Sequence, residues 1–371
     1  MNGRWVLQLC HGYSGPFLDV ARQYAVLFRD TPFKVLTVYL TGAASQQVAD
    51  GSASDEVICL NFSSREIRGL KLSAIARLKE IIADRDFAFV IAHRPKPIYI
   101  ACLATHLPVI GVHHGFGDYE RLHRRWFAHL FRKRLILLGV SNAVRDEIRK
   151  HLSWPSERIE TLYNRLDVDS VIAQLVPRNV ARAHLGLPQD VVVIANVGRL
   201  HPDKDQATLL KGFASALPRL PAGSLLVIVG SGPLEKELKD LAEQLEVSAS
   251  IRFLGQVPDA RRYFRAFDLF VLSSDHEPFG MVLLEAMAAG VPVLATDCGG
   301  APEVVGDPEQ LFPLGDVQQL ADRLIVIFTG ENSAVNREKV AAQGLFRLRK
   351  HFTDQAVCQK FLTYKDSVSC C

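Results

Sequence analysis

The chain has 371 residues, 48% apolar and 22% charged, with 25 Gly and 18 Pro, a composition that excludes disordered and fibrous classes and exceeds one usual hydrophobic core. The net charge of +3 hides an asymmetry: residues 1–170 carry 23 Lys+Arg against 17 Asp+Glu, and the rest 20 against 23, so the first half is the better match for an anionic partner. Seven scattered cysteines, odd in number and without a C-x-x-C pair, argue against a disulfide framework or a zinc site and for a reduced, cytoplasmic protein.

In chain order, short apolar and β-branched runs recur at Trp5 to Leu9, Lys34 to Leu40, Val57 to Leu60, Phe87 to Ala92, Val109 to Val112 and Leu135 to Val140, separated by helical-looking segments. The opening run is broken by Gln8 and followed by a Gly turn, which reads as a first buried strand and not a signal peptide. No segment approaches the ~20 apolar residues of a membrane span. The rhythm restarts at Val191 to Val197, Ser224 to Val229, Ile251 to Leu254, Leu269 to Leu272 and Val293 to Ala295. Near-continuous apolar strands alternating with helices indicate parallel sheets covered on both faces. The expected architecture is α/β, with two doubly wound Rossmann-like domains facing across a cleft and ligands at the carboxyl ends of the strands. Asp, Pro and Gly interrupt the pattern from Asn164 to Asp190, which puts the hinge near residue 175. The domains are then 1–175 and 176–352, with a last helix at about 353–371, carrying Val357, Phe361 and Tyr364 on one side.

In the second half, Ser274 to Gly290 holds two glutamates, Glu277 and Glu285, eight positions apart. A helix from Phe279 onward separates them by roughly 12 Å of rise and about 80° of rotation. The carboxylate pairs that cleave glycosidic bonds sit about 5 to 10 Å apart, so the two acids read as two separate contacts. Pro278 suits a first helical turn, Gly280 admits a close ligand, and Gly290 suits a helix end. The amides of Phe279, Gly280 and Met281 would then form an anion site. Arg199 and Lys204, after the first strand of this half, supply the cations a diphosphate needs. Val229-Gly230-Ser231-Gly232 lacks the third glycine of a dinucleotide fingerprint, and no P-loop motif occurs.

The series Gly198-Arg199-Leu200 … Lys204, Gly230-x-Gly232-Pro233-Leu234, Phe253-Leu254-Gly255-x-Val257, Glu277-Pro278-Phe279-Gly280 … Leu284-Glu285-Ala286 and Cys298-Gly299-Gly300-Ala301-Pro302-Glu303 resembles the retaining glycosyltransferases of the GT-B fold, in the large group-one family (family four). It spans about residues 190–305 in the right order. Val140-Ser141-Asn142 and Leu162 to Asp167 look more diffusely like that family's approach to the hinge.

The resemblance implies that Arg199 and Lys204 hold the donor diphosphate, with Gly198 and Gly230 beside it. Glu277 would contact the transferred sugar and Glu285 the ribose. Gln256 and Val257 would read the base, and Phe279, Gly280, Met281 and Leu284 would line the donor site. Gly299 and Gly300 would let the next loop pack close. It implies a hexose-type sugar taken from a nucleotide-sugar co-substrate, a UDP-sugar ahead of a GDP- or ADP-sugar, with no other cofactor and no metal. The acceptor would be a glycan or glycolipid of a cell-surface polysaccharide or lipopolysaccharide, and configuration would be retained. An epimerase or phosphorylase of the same architecture, or a two-domain sugar-binding protein without chemistry, are the competing readings.

In the first half the resemblance places Gly12, Tyr13 and Gly15 in a loop against the donor sugar and acceptor, although the common Gly-Gly form is absent and a tight structural turn fits equally. A histidine at His113 or His114 would reach the transferred sugar, and His93 and Arg94 are weaker acceptor-side candidates or loop caps. Metal binding by the His pair has no supporting carboxylate spacing. The stretch Tyr119 to Arg134 sets Trp126, Phe127, Leu130 and Phe131 on one helical stripe among basic residues. Such a helix lies on an anionic membrane, giving peripheral attachment at the inner face, meets a phosphorylated acceptor, or packs a core while its basic face is solvated. Nucleic acid fits poorly, because no binding motif accompanies the charge.

Overall fold

The structure is a computed structural model and describes residues 4–369. The chain divides into two compact units, one formed by residues up to Asn164 together with the segment from Asp354 onward, the other by Arg165–Thr353.

The first unit holds seven strands: β1 (Trp5–Cys10), β2 (Lys34–Tyr39), β3 (Glu56–Cys59), β4 (Phe87–His93), β5 (Val109–His113), β6 (Leu135–Gly139) and β7 (Ile159–Thr161). Their order is β3-β2-β1-β4-β5-β6-β7, with every pairing parallel. The strand order reverses between β1 and β4, so a crevice opens beyond the carboxyl ends of these two strands, where the loops after them diverge. The second unit repeats the plan with β8 (Val193–Val197), β9 (Leu225–Val229), β10 (Ile251–Gly255), β11 (Leu269–Leu272), β12 (Val293–Thr296) and β13 (Leu311–Phe312), in the parallel order β10-β9-β8-β11-β12-β13. Its reversal lies between β8 and β11.

The eleven apolar runs of the sequence are all strands. Two were not legible, β7 and β13, which are three and two residues long and lie at sheet edges. The central strands are buried on both faces because helices cover both sides: β6 and β9 have every residue buried. Leu209, Phe213, Leu226, Ile228, Leu294 and Leu320 meet in the core of the second unit. Each such side chain contributes roughly 1.5–3 kcal/mol on removal from water.

The terminal helix Asp354–Ser369 belongs to the first unit. Val357 and Phe361 are buried, Phe361 against Phe28 at 5.6 Å, and Arg22 pairs with Asp354 at 3.3 Å. The side chain of Tyr364 lies outside the described residues. Within the second unit, the Leu166 N–H donates to the Phe352 carbonyl, and the Asp167 carboxylate caps the helix Val168–Gln174. The Ala173 to Asn179 segment thus lies inside the second unit. There Arg182, fully buried, is held by the Asp268 carboxylate at 2.8 Å and by four backbone carbonyls.

Candidate functional site

In the second unit, the loops after β8 and β11 flank the strand reversal. After β8 the chain turns at Pro202–Lys204, and Asp205, at φ 40°, caps the helix Gln206–Ala216 by accepting from the Thr208 N–H. Ser273 Oγ donates to the Lys204 carbonyl, and the Asp275 N–H to the Asp203 carbonyl, so the two loops are stitched together. Lys204 Nζ then donates to Glu277 Oε2 at 2.9 Å, and Ser274 Oγ reaches the same oxygen at 3.3 Å. Glu277 is buried, and its carbonyl accepts from the Gly300 N–H, which ties it also to the loop after β12. A buried carboxylate costs several kcal/mol unless compensated, and the Lys204 ammonium supplies that compensation. Arg199 is different: it is 70% exposed and only loosely paired to Asp203 at 3.3 Å. It remains able to grip an arriving anion.

Glycines make this close packing possible. A Cβ at Gly230, whose φ is 135°, would overlap the Gly198 carbonyl oxygen, and one at Gly232 would overlap that of Leu200. A Cβ at Gly300 would strike the backbone of Pro278 and Phe279. Gly198, by contrast, has open space where a side chain would stand.

The helix after Glu277 begins later than its sequence suggests. It runs Met281–Ala288 with Gly280 as N-cap at φ 97°, so Pro278 lies outside the first turn and shapes the loop instead. Its end is a left-handed Gly290, with the Val291 N–H reaching back to the Ala286 carbonyl. Phe279 is buried against Phe352, and Leu284 is wholly buried, so both present only backbone to a ligand. Met281 and Glu285 are half-buried on this helix. Gln256 is exposed and Val257 half-buried just beyond β10, and the Gly255 carbonyl accepts from the Gly230 N–H.

In the first unit, the loops after β1, β4 and β5 enclose a cavity of about 390 Å³ lined by His11, Arg94, Lys96, His114, Asp118 and Arg124. The adjacent histidines part ways here. His113 is fully buried, with Nδ1 2.7 Å from Asp118 and Nε2 3.3 Å from the Tyr119 hydroxyl, so its ring is fixed behind the cavity. His114 lines the cavity, its Nε2 3.1 Å from His93 Nδ1 and its ring edge-on to Phe17. Burial drives the His93 pKa down to about 3, and burial, with His93 and Arg94 adding to it, holds His114 well below 6.5. Both rings are neutral at physiological pH, which suits them to hydrogen-bond hydroxyls.

Arg94 adopts φ 77° and ψ 162°, a conformation that costs a non-glycine residue about 1–3 kcal/mol. Its guanidinium lies 3.8 Å over the Phe17 ring. Of the N-terminal loop, Tyr13 turns away, its hydroxyl bound to the Ala43 carbonyl and its ring against Tyr39. Gly12 packs on Thr41, and Gly15, at φ 60°, faces open space. His11, Lys96, Asp118 and Arg124 line this cavity although the sequence does not single them out. Among the described residues, no group of three or more His, Cys, Asp and Glu is placed to hold a metal ion, and no helix is long and apolar enough to cross a membrane.

The helix Leu122–Leu130 departs from a single apolar stripe. Phe127 and Phe131 turn inward with rings 4.8 Å apart, while Trp126 and Leu130 point to solvent.

Comparison with known proteins agrees with this geometry. Residues 177–343 match the family described as glycosyl transferases group 1, and residues 32–170 match glycosyltransferase family 4. The lipopolysaccharide core biosynthesis glycosyltransferase LpsE of Rhizobium meliloti is 34% identical over 60% of this chain and 61% of its own. A D-inositol 3-phosphate glycosyltransferase of Saccharomonospora viridis is 40% identical over 40% of this chain and 37% of its own. The matched stretches therefore span under two thirds of either relative. Among solved structures, a glycosyltransferase from Rickettsia africae aligns over 99% of both chains with a TM-score of 0.83 and 18% identity. Anabaena HepE in complex with UDP-glucose aligns over 98% of this chain and 99% of its own, with a TM-score of 0.77 and 20% identity, a likeness of fold.

Proposed function

Since the chain belongs to the group 1 glycosyltransferases of the GT-B fold, we propose that it moves a hexose-type sugar from a nucleotide-sugar donor to a glycan or glycolipid acceptor with retention of configuration. The observation that carries this reading is the Lys204–Glu277 pair, set with exposed Arg199 where the strand order reverses between β8 and β11. Cleavage of the sugar–phosphate bond sends its electron pair to the leaving diphosphate. Arg199, Lys204 and the amino end of the helix Met281–Ala288 meet the charge that grows there. Glu277 takes the hydroxyls of the transferred sugar, Glu285 the ribose, and the loop at Gln256 and Val257 the base. The acceptor oxygen attacks the anomeric carbon from the face that the diphosphate leaves, and its proton passes to a departing phosphate oxygen. Neutral His114 positions a hydroxyl of the sugar. No step in this account calls on a metal.

A UDP-sugar is favoured as donor, in line with the UDP-glucose bound to HepE. The likeness to LpsE supports a place in lipopolysaccharide or other surface-glycan synthesis. A panel of UDP-, GDP- and ADP-sugars, assayed for slow hydrolysis by the full chain, tests the reading. Release of one nucleoside diphosphate identifies the donor, and a chain that neither binds nor cleaves any of them overturns the proposal.

A further inference from the structure

We propose that the first unit carries a two-part site for an anionic amphiphile, in which Arg94 and Lys96 hold a phosphate and Tyr99, Trp126 and Phe127 hold the apolar chain attached to it. The inference rests on reading this unit as the acceptor side, and it names the acceptor's class as a lipid phosphate.

The anionic part follows from an excess of cations over acids in the lining. Among the described residues, Lys71, Arg94 and Lys96 have no carboxylate within ion-pair distance, whereas Arg124 is answered by Asp118 at 3.1 Å. Burial and the nearby Lys96 charge lower the Lys71 pKa, so these cations crowd one another. Asp118, the one carboxylate lining either cavity, also acts on Arg94, but it stands against Lys71, Arg94, Lys96 and Arg124, and such an excess of like charge favours a bound anion. The strained backbone of Arg94, with its N–H bonded to the Val112 carbonyl at 2.9 Å, keeps the guanidinium on Phe17 and at the cavity wall. Strain of this kind persists where the surroundings impose it, commonly at ligand clamps.

The apolar part is the neighbouring cavity, about 450 Å³, which shares Pro95, Lys96 and Arg124 with the first. Its wall is aromatic: Tyr99 and Phe127 are 4.8 Å apart, and Lys71 Nζ sits 4.5 Å over Tyr99. Trp126, which lines this cavity, and apolar residues close in the chain to other lining residues are open to solvent. Leu122, Trp126 and Leu130 recur every four residues along one helix face and are 75%, 69% and 62% exposed, and Leu70 and Leu72 are exposed as well. A neutral glycan would explain neither the excess of cations nor this exposed apolar surface.

The test uses the full chain and calorimetric titration with dodecyl phosphate below its micellar concentration, with dodecyl maltoside and inorganic phosphate as single-feature probes. Dodecyl phosphate is expected to bind at least about tenfold more tightly than either, since one charge-assisted contact accounts for a factor of that order. Lys96→Ala and Trp126→Ala, both at exposed positions, are each expected to weaken it about tenfold. Equal binding of maltoside and phosphate headgroups, inorganic phosphate binding as tightly as the amphiphile, or unchanged affinity in both variants overturns the proposal. Binding only to vesicles of phosphatidylglycerol and phosphatidylcholine, with none to the monomeric amphiphile, also overturns it, because the surface is then a membrane anchor. UDP titrated into the same protein separates the two readings: absent UDP binding strikes the donor assignment and leaves this site standing.

Discussion

Lys204 and Glu277 lie 73 positions apart in the chain, yet a 2.9 Å ion pair joins them across the strand reversal of the second unit. In the unliganded protein each neutralises the other. A diphosphate that takes Lys204 therefore has to displace a carboxylate. Glu277→Gln removes that competitor, so UDP affinity is expected to hold or rise while sugar transfer falls about 100-fold. Lys204→Ala removes a charge-assisted contact and is expected to weaken UDP binding by about 1.5–3 kcal/mol. Calorimetry with UDP, alongside turnover of the identified donor, checks the split; equal loss of UDP affinity in both variants contradicts it.

Glu285 sits five residues, roughly one and a half turns, along the helix from its Gly280 cap, half-buried, on the same helix as fully buried Leu284. If it holds the ribose, Glu285→Ala weakens UDP and UDP-sugar by the same factor, about tenfold for one hydrogen bond to a charged group. Glu277→Ala, in contrast, changes the ratio between UDP and UDP-sugar. Parallel titrations with the two ligands decide the matter, and an unchanged UDP affinity in Glu285→Ala removes the ribose contact.

The sequence made the sheets legible because buried parallel strands must be apolar throughout, and a run such as Leu225 to Val229 has few other uses. It also singled out Lys204 and Glu277, each in a loop that follows a strand, and the structure brings these two into one ion pair. What it concealed depends on contacts distant in the chain. Nothing local distinguishes His113 from His114; Asp118 and Tyr119 draw one ring inward, and the stack with His93 sets the other. The start of the helix after Glu277 is concealed because Pro278 satisfies the rules for a first turn, whereas the left-handed Gly280 sets the actual boundary. Asp268 looks like an ordinary surface acid until Arg182 is seen buried against it.

The glycines give a stability test that does not depend on substrate. Gly300→Ala would push a methyl group into the Pro278 and Phe279 backbone, which cannot yield as a flexible side chain does. Thermal unfolding is expected to show a loss of about 2–3 kcal/mol. Gly198→Ala meets nothing within 4 Å and is expected to stay within about 0.5 kcal/mol of the parent. If the Gly198 backbone approaches the diphosphate, that variant loses UDP affinity while keeping its melting temperature. Equal stability of the two variants would show that the loops after β11 and β12 are not held as closely as described.

The stacked histidines set an acid limit on stability. His93 is buried with a pKa of about 3, against about 6.5 for the unfolded chain. Between these values the unfolded state binds a proton that the folded state refuses, so stability rises with pH. The full contribution is present above pH 6.5 and is lost progressively as pH falls toward 3. At pH 5 the deficit from His93 alone is about 2 kcal/mol, and His114, shifted in the same direction, adds to it. Unfolding in urea at pH 7 and pH 5 is expected to show at least this difference. His93→Gln, which cannot take up the proton, is expected to flatten the slope by about 2 kcal/mol over the same interval, even if its stability at pH 7 is lower. A slope unchanged in His93→Gln would locate the acid sensitivity elsewhere. It would also remove the argument that His114 is held neutral, beside His93 and Arg94, at the wall of the cavity.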